Sequence, residues 1–207
     1  MTLAILGASG HGKVIADSAE ASGFRHIVFF DDAWPGIATN GPWEVVVTTQ
    51  DLLLNLDSYS SVVVAIGNNA IRYNKLNTLL DAGAPVVSVV HPSAIVSPHS
   101  SLGVGSVVFA GAVVNAGADI GAGAIVNTNA VIEHDCVLGV SCHISPGGVL
   151  AGGVCLGDRV WVGANASVRQ LVSVGDNSVV GMGAVVTRNV ATNITVVGNP
   201  ARPIKIT

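Results

Sequence analysis

The chain has 207 residues and a formal net charge of −4; half of its residues are hydrophobic, 11% are charged and 4% are aromatic. That composition supports one medium domain or two small ones, and an acidic balance without a Lys/Arg stripe argues against nucleic acid as a partner. No segment approaches an uninterrupted membrane span, the start MTLAILGASGHGK does not resemble a cleavable leader, and three cysteines without a CxxC pair do not suit a secreted disulfide framework, so the expectation is a cytoplasmic protein with reduced thiols and no metal.

In chain order, the apolar run Leu3 to Leu6 reads as a strand that enters the glycine-rich turn Gly7-Ala-Ser-Gly10-His11-Gly12. A helix fits Lys13 to Ser22, and a second strand, Ile27 to Phe30, ends in Asp31 and Asp32. Val62 to Ile66 then runs into Gly67-Asn68-Asn69 and a helical stretch to about Leu80, and a last strand, Val86 to Val90, meets His91-Pro92. Strand, glycine turn, helix and strand in this order describe a small parallel sheet of the doubly wound, Rossmann-like α/β kind, assigned to residues 1–90.

From Val96 onward an aliphatic residue recurs every six positions, through Ile120, Ile132, Ile144 and Leu156 to Val186, and a mostly small residue follows four positions later, as at Ala112, Cys136 and Cys142. A helix would repeat at 3.6 residues and an ordinary strand at two, so a sustained period of six predicts a β-solenoid over residues 91–207. Three hexads would close one triangular coil with the aliphatic residue inward.

The glycine turn can present backbone N–H groups and a helix N-terminus to phosphate oxygens, with Gly10, His11 and Gly12 as its ligand-facing residues. Its spacing is GxxGxG rather than the dinucleotide GxGxxG, which favours a smaller diphosphate ligand over NAD. The bland alternative is that the glycines only permit a tight connection. His11 either meets a phosphate or faces solvent, and Asp31 and Asp32 either bind a nucleoside or end a strand in a turn. Asn68, Asn69 and Arg72 lie on the ligand side of the sheet, or are a helix cap and a solvated arginine. In the solenoid, Asn127-Thr-Asn-Ala-Val-Ile-Glu133-His134-Asp135-Cys136 interrupts the apolar repeat with charge. A histidine beside a carboxylate is a ready general base, whereas a surface histidine is the alternative. Cys136 and Cys142 fall in the small-residue register and read as packing.

GASGHG, FFDD, AIGNN-IR, the hexads, IEHDC and the terminal VVGNPAR together resemble the sugar O-acyltransferase family, which includes sialic acid O-acetyltransferases and the UDP-4-amino-sugar N-acetyltransferases of bacillosamine biosynthesis. The resemblance is closest to the latter. It implies a left-handed parallel β-helix, a homotrimer, acetyl-CoA as co-substrate bound between neighbouring subunits, and a nucleotide sugar, expected to be UDP-linked, in the N-terminal domain. By it His134 is the catalytic base, Asp135 its carboxylate partner and Asn127 a residue near the reacting sugar, while His143 and Gly152 line the acetyl-CoA thioester. Some relatives carry Glu at the position of Asp135, so the shorter carboxylate is expected farther from the ring. The alternatives are O-acetylation of a sialic acid or related sugar, and a non-catalytic trimeric β-helix that serves as a binding module.

Overall fold

A computed structural model describes residues 2–204, which divide into two compact units between Pro92 and Ser93. In the first unit, β1 (Thr2–Leu6), β2 (His26–Phe30), β3 (Thr39–Asn40), β4 (Trp43–Val47) and β5 (Ser61–Val64) form one sheet in the order β3-β4-β2-β1-β5. All neighbours are parallel except the β3–β4 hairpin. Leu3, Ala4 and Ile5 of β1, flanked by β2 and β5, are fully buried, as expected of a parallel strand covered on both faces. The chain leaves β1 toward β2 on one side and returns to β5 on the other, so β1 marks the topological switch point where ligand clefts open at the strands' carboxyl ends.

Helices α1 (Gly10–Ala21), α2 (Thr49–Leu54) and α3 (Asn69–Asp81) complete this unit. Helix α1 begins three residues earlier than the sequence suggests, because Gly10 and Gly12 are already helical. The last expected strand is shorter, with Val89–Val90 extended and Val86 only bridging Val62. Helix α2 and the β3–β4 hairpin were not anticipated. Thr48 and Asp51 form a reciprocal capping box that starts α2, a pattern visible in Thr48-Thr-Gln-Asp51 ahead of three leucines.

The second unit is a parallel β-helix. Val113–Val114 pairs with Ile95–Val96 on one side and Val131–Ile132 on the other, so one coil takes eighteen residues, or three hexads. Three parallel sheets result, beginning in this unit at Ile95–Val96, Ser101–Leu102 and Val107–Val108. The third continues past Val179–Val180 to Thr195–Val197 and ends in an antiparallel strand, Arg202–Ile204. Every inward aliphatic residue from Val108 to Val186 is buried, which at roughly 1.5–3 kcal/mol per side chain makes this column the principal support of the unit. The corners carry a second period of six. Every sixth residue from Gly105 to Gly183 has positive φ, and glycine, asparagine or aspartate holds most of these positions because they tolerate the left-handed region best.

Candidate active site and nucleotide cleft

In the first unit the carboxyl ends of β1, β2 and β5 border a cavity of about 330 Å³, lined among others by Gly7, Ser9, Asp31, Asp32, Gly67 and Lys75. Gly7, at φ +116°, lies so close to β5 that a Cβ would sit 2.8 Å from the Ala65 carbonyl oxygen. Gly10 faces open space, whereas a Cβ on Gly12 would run into the Gly7 carbonyl and the Phe29 ring. Gly12 therefore seats α1 against the sheet, and of the two helical glycines only Gly10 leaves room on its surface.

The two aspartates are engaged in building the cleft. Asp31 accepts from the Ala8 N–H at 2.7 Å and the Ala33 N–H at 2.9 Å, tying the glycine turn to the end of β2. Asp32 accepts from the Thr49 N–H at 2.9 Å and pairs with Lys75 Nζ at 3.2 Å. The Thr49 backbone bond, followed by the Thr49 hydroxyl and Lys75, holds the Asp32 carboxyl below its usual range. Lys75 was not singled out from the sequence. It lies two turns into α3, where only the pairing of α3 with the sheet reveals that it faces the strand ends.

Asn68 is the N-cap of α3, its Oδ1 accepting from the Ile71 N–H at 3.1 Å. Arg72 is not solvated. It is 1% exposed and donates to the carbonyls of Ile66 (2.9 Å) and Gly67 (3.0 Å) and to Asn69 Oδ1 (2.8 Å), fastening the β5–α3 turn from beneath. A guanidinium is tolerated there because its donors are met by oxygens in the fork geometry that suits them.

Burial, with Arg72 acting in the same direction, pushes the His11 imidazole down to about 4 from its usual 6.5. The unfolded chain takes up this proton from about pH 6.5 downward and the folded chain only near 4. The stability that His11 contributes is thus complete above the upper value and drains as pH falls through the interval. Between pH 7 and pH 4.5 the wild type is expected to lose about 2 kcal/mol more than His11→Gln, read as the difference in urea midpoints. Equal losses in both proteins would remove His11 as the cause.

On the β-helix, a cavity of about 270 Å³ is lined by His134, Asp135, Gly152, Gly153, Gln170 and Leu171. These residues are stacked corners, since eighteen residues separate His134 from Gly152 and Gly152 from Gln170. Both members of the charged pair point outward, with side chains 65% and 73% exposed, and His134 Nδ1 lies 2.8 Å from Asp135 Oδ2. The aspartate is not too short to reach the ring. It occupies a left-handed corner, φ +58°, a conformation that aspartate tolerates better than most residues. A proton on Nδ1 shared with the carboxylate leaves Nε2 as the lone-pair end of the ring. That end hangs over Gly152, where a Cβ would fall 2.5 Å from Nε2.

The backbone at Gly152 would accept alanine, so Gly152→Ala should fold with little change in melting temperature while pushing the ring off its position. With His134 as the base that the sequence leads us to expect, turnover should fall by about tenfold or more, since small misplacements of a reacting group are costly. A Gly152→Ala enzyme with wild-type kcat would show that the ring position over this glycine is unimportant.

Asn127 and His143 come together on another part of the coil surface, Asn127 Nδ2 lying 3.2 Å from His143 Nε2. The six-residue pattern thus brings His134, Asp135 and Gly152 into one cavity and Asn127 and His143 into a second group. The eighteen-residue coil spacing also places Gln170 two coils beyond His134 in the same cavity, a relation that the six-residue pattern alone does not single out. Cys136 and Cys142 are buried as packing residues, and burial pushes the Cys136 thiol up. Among the described residues there is no group of three side chains suited to a metal ion, and no helix is long and apolar enough to cross a membrane.

Residues 2–79 match the PglD N-terminal domain, and residues 129–170 and 153–188 match the hexapeptide repeat of succinyl-transferase. The acetyltransferase domain of PglB from Neisseria gonorrhoeae, solved in complex with acetyl coenzyme A, is 40% identical, covers 98% of each chain and superposes with a TM-score of 0.91. PerB from Caulobacter crescentus, solved with CoA and GDP-perosamine, is 36% identical over 99% of this chain and 98% of its own, with a TM-score of 0.94. Among curated proteins, galactoside O-acetyltransferase of Escherichia coli is 36% identical over 52 residues, and this chain spans 26% of its length. With two solved relatives matched over nearly their whole length, and with both the N-terminal domain and the repeats recognised, the chain belongs to the family of hexapeptide-repeat sugar acetyltransferases that carry a PglD N-terminal domain.

Proposed function

We propose that this protein transfers an acetyl group from acetyl-CoA to the amino group of a nucleotide-linked amino sugar. The observation that carries the reading is the His134–Asp135 pair, whose Nε2 projects over Gly152 in an open cavity. Two relatives whose solved chains match this one almost end to end, one solved with acetyl coenzyme A and one with CoA and GDP-perosamine, support the choice of substrates. The O-acetyltransferase likeness covers only a quarter of the chain. A passive scaffold has no use for an ordered histidine and carboxylate at adjacent exposed corners.

In the proposed reaction the sugar amine, as free base, attacks the thioester carbonyl carbon. A C–N bond forms, and His134 Nε2 takes the proton released from the attacking nitrogen. The carbonyl oxygen gathers negative charge, for which the Gly152 N–H is our candidate donor, and collapse of the tetrahedral intermediate breaks the C–S bond. Coenzyme A leaves as the thiolate and takes up a proton. No acyl-enzyme is required, and the buried Cys136 and Cys142 are not placed to form one.

The nucleotide would occupy the cleft of the first unit, with its phosphates at the α1 N-terminus beside Ser9 and Gly10 and its nucleoside toward Asp31, Asp32 and Lys75. We further propose a homotrimer in the cytoplasm. The supporting observation is an outward apolar column, Ile95, Val113, Val131 and Val149, along one face of the coil, of which Ile95 is 66% exposed. In a trimer a neighbour's Asn127 and His143 would meet the His134 cavity, and acetyl-CoA would lie between the two. The test is acetyl transfer to UDP-, GDP- and dTDP-linked amino sugars with free coenzyme A as readout, preceded by a thermal shift with each nucleotide. A nucleotide at a hundred times its Kd stabilises by about 2.7 kcal/mol. Release of coenzyme A with none of these acceptors would overturn the activity.

A further inference from the structure

The two histidines of the proposed site are held in the same tautomer, protonated at Nδ1, but by different partners. Asn127 Oδ1 accepts from the Thr128 N–H at 2.8 Å, which fixes the orientation of the amide and turns its NH₂ toward His143. A donor 3.2 Å from Nε2 requires a lone pair there, because a proton on Nε2 would set two donors head to head. The ring proton of His143 then resides on Nδ1. At His134 the protein holds the other nitrogen: Nδ1–H donates to the Asp135 carboxylate and Nε2 keeps its lone pair outward, whereas at His143 it is Nε2 that is occupied, by Asn127.

A tautomer is fixed only if the ring plane is fixed as well. One coil beyond His143, in direct register, stands Trp161. Its indole lies nearly parallel to the imidazole, 12° between planes with centroids 6.1 Å apart, an offset stack. Although Trp161 is 47% exposed, its Nε1–H donates to the Oγ of buried Ser145 at 2.8 Å, so the indole has one orientation rather than several. Asn127, His143, Trp161 and Ser145 therefore form a chain of two hydrogen bonds joined by a ring stack, in which each contact restricts the next.

We infer that Trp161 and Ser145 are positioning residues that lock the His143 ring as an Nδ1–H donor, leaving His134 as the site's base. This rests on the proposed function only for its consequence, that His143 does not compete with His134 for the substrate's proton. The tautomer itself belongs to the free protein.

Two-bond ¹H–¹⁵N spectra of the ligand-free protein at pH 7.5 test the lock, with His143→Gln supplying the assignment. Wild type should show the pyridine-like nitrogen of His143 at Nε2. Trp161→Leu should shift those signals toward a mixture of tautomers, and Ser145→Ala and Trp161→Phe, which keep a ring on the imidazole but lose the indole's hydrogen bond, should each shift them less. In turnover, Trp161→Leu should raise KM for acetyl-CoA about three- to tenfold, as loss of an aromatic pair would, and leave KM for the nucleotide sugar in place. A pyridine-like Nδ1 in wild type overturns the tautomer, and unchanged His143 signals in Trp161→Leu overturn the positioning role. Wild-type protein with the expected spectrum and no acetyl transfer would instead remove the proposed function and leave the lock standing.

Discussion

His134→Ala is expected to lower kcat by roughly 10²–10⁴-fold at pH 7, the usual contribution of a general base, while the folded structure survives. The side chain is 65% exposed and packs into no core, so no cavity is left behind and the melting temperature should move little. Acetyl-CoA affinity should be largely kept, since the residue acts on the proton released in the transition state and not on the bound ground state. Raising the pH should recover part of the rate with an amine acceptor, which deprotonates itself in alkaline buffer, and almost none with a hydroxyl acceptor. Asp135→Asn should cost less. Asparagine also accepts the left-handed corner, but its amide cannot hold the Nδ1 proton as a carboxylate does, so both tautomers of His134 would be populated. Wild-type turnover by His134→Ala at pH 7 would end the general-base mechanism.

The repeat was legible because a β-helix writes its packing into one period: inward aliphatic residues, small corner residues and left-handed corners each recur at six. The pair at His134 was legible for the same reason, as charge in an otherwise apolar register. Less could be read of what lies one coil away. Gly152 sits beneath His134 because a side chain there would collide with the ring, and Trp161 follows His143 in register, but both relations appear only once the coil length is known. The first unit was harder still. Asp31 and Asp32 read either as nucleoside ligands or as the end of a strand in a turn; both line the cleft, and each also spends carboxylate oxygen on backbone N–H groups of the turns that shape it. Sequence shows a charged residue at a strand end or just beyond it. It does not show whether that charge points outward to a ligand or inward to carbonyl and amide oxygens, as at Arg72 in the first turn of α3, because the answer depends on how tightly the adjoining turn wraps.

Arg72 gives the largest expected effect on stability. Arg72→Met keeps much of the side chain's length and apolar stem but withdraws the donors to Ile66 O, Gly67 O and Asn69 Oδ1, leaving polar atoms of the β5–α3 turn to find other partners in a buried setting. Hydrogen bonds to a charged group are worth more than neutral ones, and stranded acceptors carry their own cost, so unfolding free energy should fall by about 3 kcal/mol. In urea this would appear as a lower midpoint at unchanged slope. The same substitution removes the positive neighbour that helps hold His11 near 4. Titration of the His11 ring by NMR should therefore move upward in Arg72→Met, while Arg72→Lys, which keeps the charge but not the planar fork, should move it less and still lose stability. Because Gly67 lines the cleft, nucleotide affinity should weaken with the loss of its anchor, ahead of any change in acetyl-CoA binding. An Arg72→Met protein with the wild-type midpoint and an unmoved His11 would mean that the buried guanidinium neither fastens the turn nor acts on the histidine.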